Sequence, residues 1–281
     1  MSTISAADVM KLRNRTNAPM MDCKAALEQA GGDMEKAIQI IREKNAKIQV
    51  AKADREVAEG RIAVFIDPEK AVAGIVEMRC ESAPVAKNEG FIELCNAIAR
   101  HVALAPSPAT DVAALLAQPF VDDPKRTVND RIAETVGLIR ENMKPARFVQ
   151  LRGGQFGSYV HHDGSVGVLL QVEGTAPADT RMLRDICMHI TAKQPIAATR
   201  EEIDPAVVEK EKEIAKSQAA ATGKPANVAE KIAEGKLKTW FAENVLVEQP
   251  FVKDESKTVG DMLKAAGLTV KRFVRFKVGE K

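Results

Sequence analysis

Apolar positions in residues 1–45 recur at helical spacing in three short runs. Ser5 is placed to cap A-A-D-V-M-K-L-R, with Asp8 in the first turn, where a carboxylate meets the positive end of the helix dipole. T-N-A-P breaks that run, and Pro19 suits the first position of a second helix. Gly31-Gly32 ends it, and Asp33 can cap a third helix in which Met34, Ile38 and Ile41 share a face. Three helices in so short a segment make a module near the lower size limit for independent folding. Residues 46–59 carry little apolar stripe and much charge. They read as a linker whose composition still permits helix.

The period then changes to two. R-I-A-V-F-I-D (61–67), a turn over 67–70 and A-V-A-G-I-V-E-M-R (71–79) predict a hairpin, and Asn88 caps the helix that follows. The same order returns later. F-G-S-Y-V-H-H (156–162) and S-V-G-V-L-L-Q-V (165–172) flank the turn signal Asp163-Gly164, and a helix follows over 182–192. His101 and His189 hold matching places in the two helices, and Gly74 and Gly167 in the two second strands. This pattern predicts an internal duplication, with sheet-plus-helix units at 60–150 and 151–203 and further helix around 110–143. Residues 204–241 predict two antiparallel helices. Asp204 caps the first, Pro205 opens it, and Gly223-Lys224-Pro225 makes the turn. Val207, Ile214 and Ala221 form one thin stripe, and Val228, Ile232 and Trp240 the other. Thin seams with charged flanks suit a projecting arm about 24 Å long at 1.5 Å per residue. Residues 242–281 return to the core, with strands around Val245–Val247 and Val270–Val278. The expected fold class is α+β.

Composition narrows the function. Of 281 residues, 45% are hydrophobic and 28% charged, enough for a core and against wholesale disorder. Lys and Arg number 41 against 39 Asp and Glu, so no concentrated basic face for a nucleic acid backbone is expected. Nine Phe, one Tyr and one Trp are too sparse for base-stacking platforms. Neither a secretory signal nor a membrane span is expected, because Asp8 and Lys11 interrupt the start and no 18-residue apolar stretch occurs. A cytoplasmic protein with reduced thiols is the resulting expectation.

Candidate chemistry is scarce. Cys23, Cys80, Cys95 and Cys187 form no C-x-x-C pair, and no phosphate-binding loop, G-x-S-x-G or H-E-x-x-H is present. His161-His162-Asp163 sits at a hairpin turn, where adjacent side chains of a strand point to opposite faces and rarely converge on a metal. His101 and His189 read as histidines satisfied at packing interfaces, with a partner contact as the alternative. Cys23 and Cys187 read as small core hydrophobes. No catalytic residue, metal or cofactor is expected. Met20-Met21 beside Arg13 read instead as a small docking patch.

The run L-R-N-R-T-N-A-P-M-M-D-C-K-A-A-L-E-Q-A-G-G-D-M-E-K-A (12–37) resembles the N-terminal signature of the bacterial elongation factor Ts family. The resemblance continues through C-E-S-A-P-V-A-K-N (80–88), M-H-I-T-A (188–192), G-K-P-A-N-V-A-E-K-I-A-E-G-K-L-K (223–238), Q-P-F-V (249–252) and S-K-T-V-G (256–260). It implies a ubiquitin-associated-like module at 1–45, a duplicated core and a helical-hairpin arm. It also implies a guanine nucleotide exchange factor that binds elongation factor Tu with GDP or without nucleotide and performs no covalent chemistry.

Residue by residue, the resemblance puts Arg13, Met20 and Met21 against the nucleotide-binding domain of that partner and His189 toward its third domain. The family's T-D-F-V loop dislocates magnesium and loosens GDP. Here those positions read Ser82, Ala83, Pro84 and Val85. Ala83 lacks the carboxylate, and Pro84 lacks a ring that buries about 150–250 Å². The alternative reading is a degenerate relative that binds elongation factor Tu without efficient exchange, as a chaperone or storage partner.

Overall fold

A computed structural model describes residues 4–223 and 225–280. By packing, the chain divides into two units. The first holds the chain up to Leu151 with Val160–Gly167 and the segment from Phe276 onward, and the second holds Arg152–Tyr159 and Val168–Arg275. The fold is α+β, with a helical N-terminal region and small sheets.

The first unit opens with α1 (Ala6–Thr16), α2 (Met20–Gln29) and α3 (Met34–Lys52). Ser5 and Asp8 form a reciprocal capping box on α1, and Asp33 caps α3. Pro19 stands one position earlier than expected, as the N-cap of α2. These helices enclose their own cluster around Leu12, Cys23, Leu27 and Ile41. The third helix runs seven residues beyond position 45, into the expected linker. Its C-terminal half packs on the core helix α7 described below.

Next come β1 (Glu59–Asp67) and β2 (Val72–Cys80), paired antiparallel from Glu59↔Cys80 to Asp67↔Val72, then the single turn α4 (Ala83–Ala86) and α5 (Glu89–Leu104). Alternate residues Val76, Met78 and Cys80 of β2 join Phe91, Leu94, Cys95, Ile98 and Val102 in the core. A Cβ on Gly74 would lie 2.6 Å from both Ala99 O and Ala103 N, so glycine lets α5 approach the sheet. Gly167 does not repeat this role, because its Cβ would strike Ile62 Cγ2 at 2.4 Å; in the second unit the glycine under the helix is Gly157, 2.5 Å from Leu183 Cβ. The two glycines therefore share a place in the pattern and differ in their cause.

Then follow α6 (Val112–Ala117), β3 (Pro119–Phe120), β4 (Asp123–Thr127), α7 (Val128–Ile139) and β5 (Met143–Arg152). Where helix was expected through residue 143, the chain leaves α7 at Ile139 and β5 completes a sheet of order β1-β2-β5. Asn45 of α3 lies over the bare Cα of Gly137, and Gln49 Nε2 donates to Asn129 Oδ1 at 3.0 Å, so α3 fastens the N-terminal helices to α7.

The second unit is built from β6 (Gln155–Val160), β7 (Val166–Gly174), α8 (Thr180–Lys193), α9 (Pro205–Ala220), α10 (Ala226–Asn244), β8 (Pro250–Phe251), β9 (Asp254–Thr258), α11 (Val259–Ala265) and β10 (Leu268–Lys277). Its sheet has the order β10-β7-β6, and Val168, Leu170 and Val172 pack on Leu183, Ile186, Cys187 and Ile190. The strand expected at Val245–Val247 is absent. Val245 makes one bridge to Ala197, and Leu246–Glu248 form a 3-10 turn. In the arm the seam is made of Ala215, Ala219 and Ala233, whereas Val207 and Ile214 stay 41% and 39% exposed. On α9 the inward face is thus one residue round from the expected stripe, whereas on α10 Ile232 and Trp240 pack inward as expected. Lys224, in the turn of the arm, lies outside the described residues.

The duplication reaches further than the sheets and helices. Gln118-Pro119-Phe120-Val121 and Gln249-Pro250-Phe251-Val252 each form the first arm of a short hairpin. Each hairpin leads into a helix capped by a Thr–Asp box, Thr127 with Asp130 and Thr258 with Asp261. Each hairpin also holds a buried histidine. Val121 N–H donates to His101 Nδ1 at 3.2 Å, so Nε2 carries the proton and donates to Gln118 Oε1 at 2.9 Å. His189 repeats the arrangement with Val252 N–H at 3.2 Å and Gln249 Oε1 at 2.8 Å. Phe120 and Phe251 lie beside the two rings at centroid separations of 5.7 and 5.8 Å.

One carboxylate gathers the edge of the first unit. Glu77, 2% exposed, accepts from Arg79 Nη1 and Arg147 Nε, both at 2.7 Å, and from Gly279 N at 3.0 Å. Arg147 also donates to Lys277 O at 2.9 Å and lies over the Phe276 ring at 4.4 Å. Glu77→Ala would leave two arginines without their shared anion. The expected result is a loss of about 3 kcal/mol, read as a lower urea midpoint, since removing one partner of a buried pair strands the other.

Burial, opposed by the hydrogen bond to glutamine, lowers the pKa of both His101 and His189. A histidine held neutral contributes its stability fully above the ordinary pKa of about 6.5 and loses it as pH falls through the folded-state value. The unfolding midpoint is therefore expected to drop as pH is lowered from 7.5 to 5. Replacing either histidine by Gln should flatten that slope, as measured by thermal melts across the range.

Candidate functional site

Among the described residues no three His, Cys, Asp or Glu side chains are placed to hold a metal ion. All four cysteines are buried, and desolvation pushes the Cys80 thiol up to about 12 and those of Cys95 and Cys187 higher still, away from the reactive thiolate. His161 and His162 lie just beyond the end of β6, so strand alternation does not apply. Their rings meet at a centroid distance of 4.4 Å rather than pointing apart.

The exposed features are different in kind. Arg13 is exposed near the end of α1, and α2 begins with Met20 and Met21, 37% and 73% exposed. Cys23, Ala26 and Leu27 bury the side of α2 opposite Met21, which fixes Met21 outward and leaves Met20, nearer the buried face, the less exposed of the two. The loop at 82–85 lies between β2 and α5. Ala83 and Pro84 are exposed at the first two positions of α4, and Val85 is turned into the core.

One turn connects these two features. Asp22, next to Met21, pairs with Lys44 at 2.7 Å and with Arg140 at 3.7 Å. Arg140 ends α7 in the left-handed conformation, φ 67°, which swings Glu141 and Asn142 toward the loop. Glu141 accepts from Ser82 N at 3.1 Å and from Ser82 Oγ at 2.6 Å. Asn142 N donates to Glu81 Oε1 at 2.6 Å, and its side-chain amide donates to Ala53 O and Arg55 O.

His189 takes the place that its helix position predicts, satisfied at a packing interface. Its side chain is 0% exposed and both ring nitrogens are engaged, so it cannot itself touch a partner. What it positions is the hairpin tip, where Val252 is exposed. Sequence reasoning passed over Gln118, Gln249, Arg140 and Glu141. The two glutamines had a readable signal, the repeated Q-P-F-V; the 140–142 turn had none, because its partners lie about 60 and 120 positions away in the chain.

Comparison with known proteins extends over the same ground. The family model for "Elongation factor TS" matches residues 81–280. Proteins named elongation factor Ts are similar along almost the whole chain. That of Thioalkalivibrio sulfidiphilus is 42% identical over 281 residues, covering 99% of this chain and 93% of its own. Those of Aquifex aeolicus and Cytophaga hutchinsonii are 40% and 41% identical, each pairing with 98% of this chain and covering 98% and 99% of their own. With so even a match from the N-terminal helices to the last strand, the chain belongs to the elongation factor Ts family.

Proposed function

We propose that the protein is a guanine nucleotide exchange factor of translation elongation, which binds elongation factor Tu in its GDP-bound form and promotes GDP release. The observation that carries this reading is the pair of exposed elements on the first unit, Met20-Met21 and the 82–85 loop, joined through one turn in a chain of this family. No covalent step is needed. Binding that is weakened by GDP must weaken GDP in return, because coupling between two sites is reciprocal. The methionines supply adaptable apolar contact and Arg13 a charge beside them. The hairpin tip held by His189 supplies a further contact from the second unit. The partner is a protein rather than a nucleic acid, in keeping with the near balance of charge. No described helix is long and apolar enough to cross a membrane, and we place the protein in the cytoplasm, where translation runs.

The exposed Ala83-Pro84 gives the second reading its support, since neither side chain can displace a magnesium shell or wedge between helices. If that loop forfeits about 2–4 kcal/mol of differential binding, acceleration through it falls roughly thirty- to a thousandfold. Stopped-flow release of a fluorescent GDP analogue from elongation factor Tu separates the two. Acceleration at saturating protein is expected. Its absence, together with equal calorimetric affinity for the GDP-bound and nucleotide-free partner, would leave a binding protein only. The triple variant Ser82→Thr/Ala83→Asp/Pro84→Phe is expected to release GDP faster than the parent; a slower rate would show that the partner's pocket has adapted to the small loop. Met21→Lys should weaken binding by about tenfold or more in calorimetry, the worth of burying one large apolar side chain.

A further inference from the structure

We propose that the turn Arg140-Glu141-Asn142 is a positioning relay for exchange, with Glu141 as the positioning residue that sets loop 82–85 relative to the methionines of α2. The inference rests on the exchange reading above and concerns how this chain presents a loop of small side chains.

The loop closes one backbone turn, with Ala86 N donating to Ser82 O at 3.1 Å, but its cap is unmade. Ser82 is the N-cap of α4, and a cap hydroxyl ordinarily accepts from the backbone N–H two or three positions on. Pro84, at the second position, has no N–H to offer, and the Ser82 side chain makes no cap hydrogen bond. The hydroxyl turns outward and donates to Glu141 Oε1 at 2.6 Å, while the Ser82 amide donates to Oε2 at 3.1 Å. Both oxygens of one carboxylate are thus spent on one loop residue, which fixes direction as well as distance. The tie is returned one residue away. Glu81 Oε1 accepts from Asn142 N, and Asn142 is anchored to the carbonyls of Ala53 and Arg55, just past the end of α3.

The other end of the relay reaches α2. Arg140 Nη2 lies 3.7 Å from Asp22 Oδ2, and Lys44 of α3 holds the second oxygen of Asp22 at 2.7 Å. Asp22 follows Met21 directly, so the one turn touches both the helix that carries the methionines and the loop. A loop tip of Ala83 and Pro84 has little side chain with which to find its own contact. Its effect on a partner depends on where the backbone is held, and rate losses from small misplacements are large.

Glu141→Ala and the milder Ser82→Ala test the relay. Amide hydrogen exchange should show the Ser82 N–H losing protection in Glu141→Ala. Stopped-flow should show the maximal GDP-release rate falling about tenfold, the scale of one charge-assisted hydrogen bond, with the half-saturating concentration changed by less than about threefold. Glu141→Gln, which keeps one acceptor oxygen, should lose less. Glu141→Ala combined with Ser82→Ala should be no worse than Glu141→Ala alone, because both remove the same contact. Unchanged maximal rates in both single variants, while the parent accelerates release, would overturn the relay and leave the exchange reading standing. Parallel loss of rate, affinity and melting temperature would also overturn it, by making Glu141 a fold residue only. A parent protein that does not accelerate release would overturn the exchange reading, and the relay's part in exchange with it.

Discussion

A buried imidazole with both nitrogens engaged is the contact on which each half of the core depends. A small sheet covered by one helix leaves one end of its apolar interior open. In each half that end is closed by a hairpin carrying phenylalanine, and the hairpin is held by histidine and glutamine. The geometry admits only the neutral tautomer, because a backbone N–H must donate to Nδ1. Burial keeps the ring in that state, so the clamp depends on the core that it seals.

Seen from the clamp, the arm is an insertion. In the first unit the chain passes from α5 through a short connection to the Q-P-F-V hairpin, whereas in the second the same journey is interrupted by α9 and α10. The base of the arm is stitched shut where it leaves and rejoins, by the Ala197–Val245 bridge and by Phe241 and Val245 packing with Ile203. Arg200 pairs with Glu248 and covers the Phe241 ring, closing the same junction from outside. An insertion closed at its base can extend outward without disturbing the clamp beneath it.

Much of the fold was legible because its signals are local. The caps at Ser5, Asp33 and Asn88 and the turns at Gly31-Gly32 and Asp163-Gly164 act within four residues, and a hairpin needs only alternation and a turn. The errors came where a distant partner decides. Val245–Val247 has strand composition and bonds to Ala197 and Ala198, but it forms a single bridge because the chain enters a 3-10 turn at Leu246. The apolar stripe through Val207 and Ile214 has helical spacing, yet the neighbouring helix prefers the alanine face for its closer approach. The exposed and the buried side chains divide in the same way. That one of Met20-Met21 is exposed could be read because they are consecutive on α2, whereas the groups that satisfy His189, Gln249 and the Val252 N–H, lie on the far side of the inserted arm.

By itself the sequence determined the α+β class, the duplication, the helical arm, the family and the small residues at 82–85, since each is a matter of spacing or identity along the chain. Only the tertiary structure decided that Glu141 takes hold of Ser82, that Asp22 reaches Arg140 and that Gln249 and Val252 hold His189. Those outcomes depend on which groups, remote in sequence, are left with an unmet hydrogen bond or charge once the cores have closed. Burial makes such a group costly unless a partner is at hand, and the partner available is set by packing rather than by position in the chain.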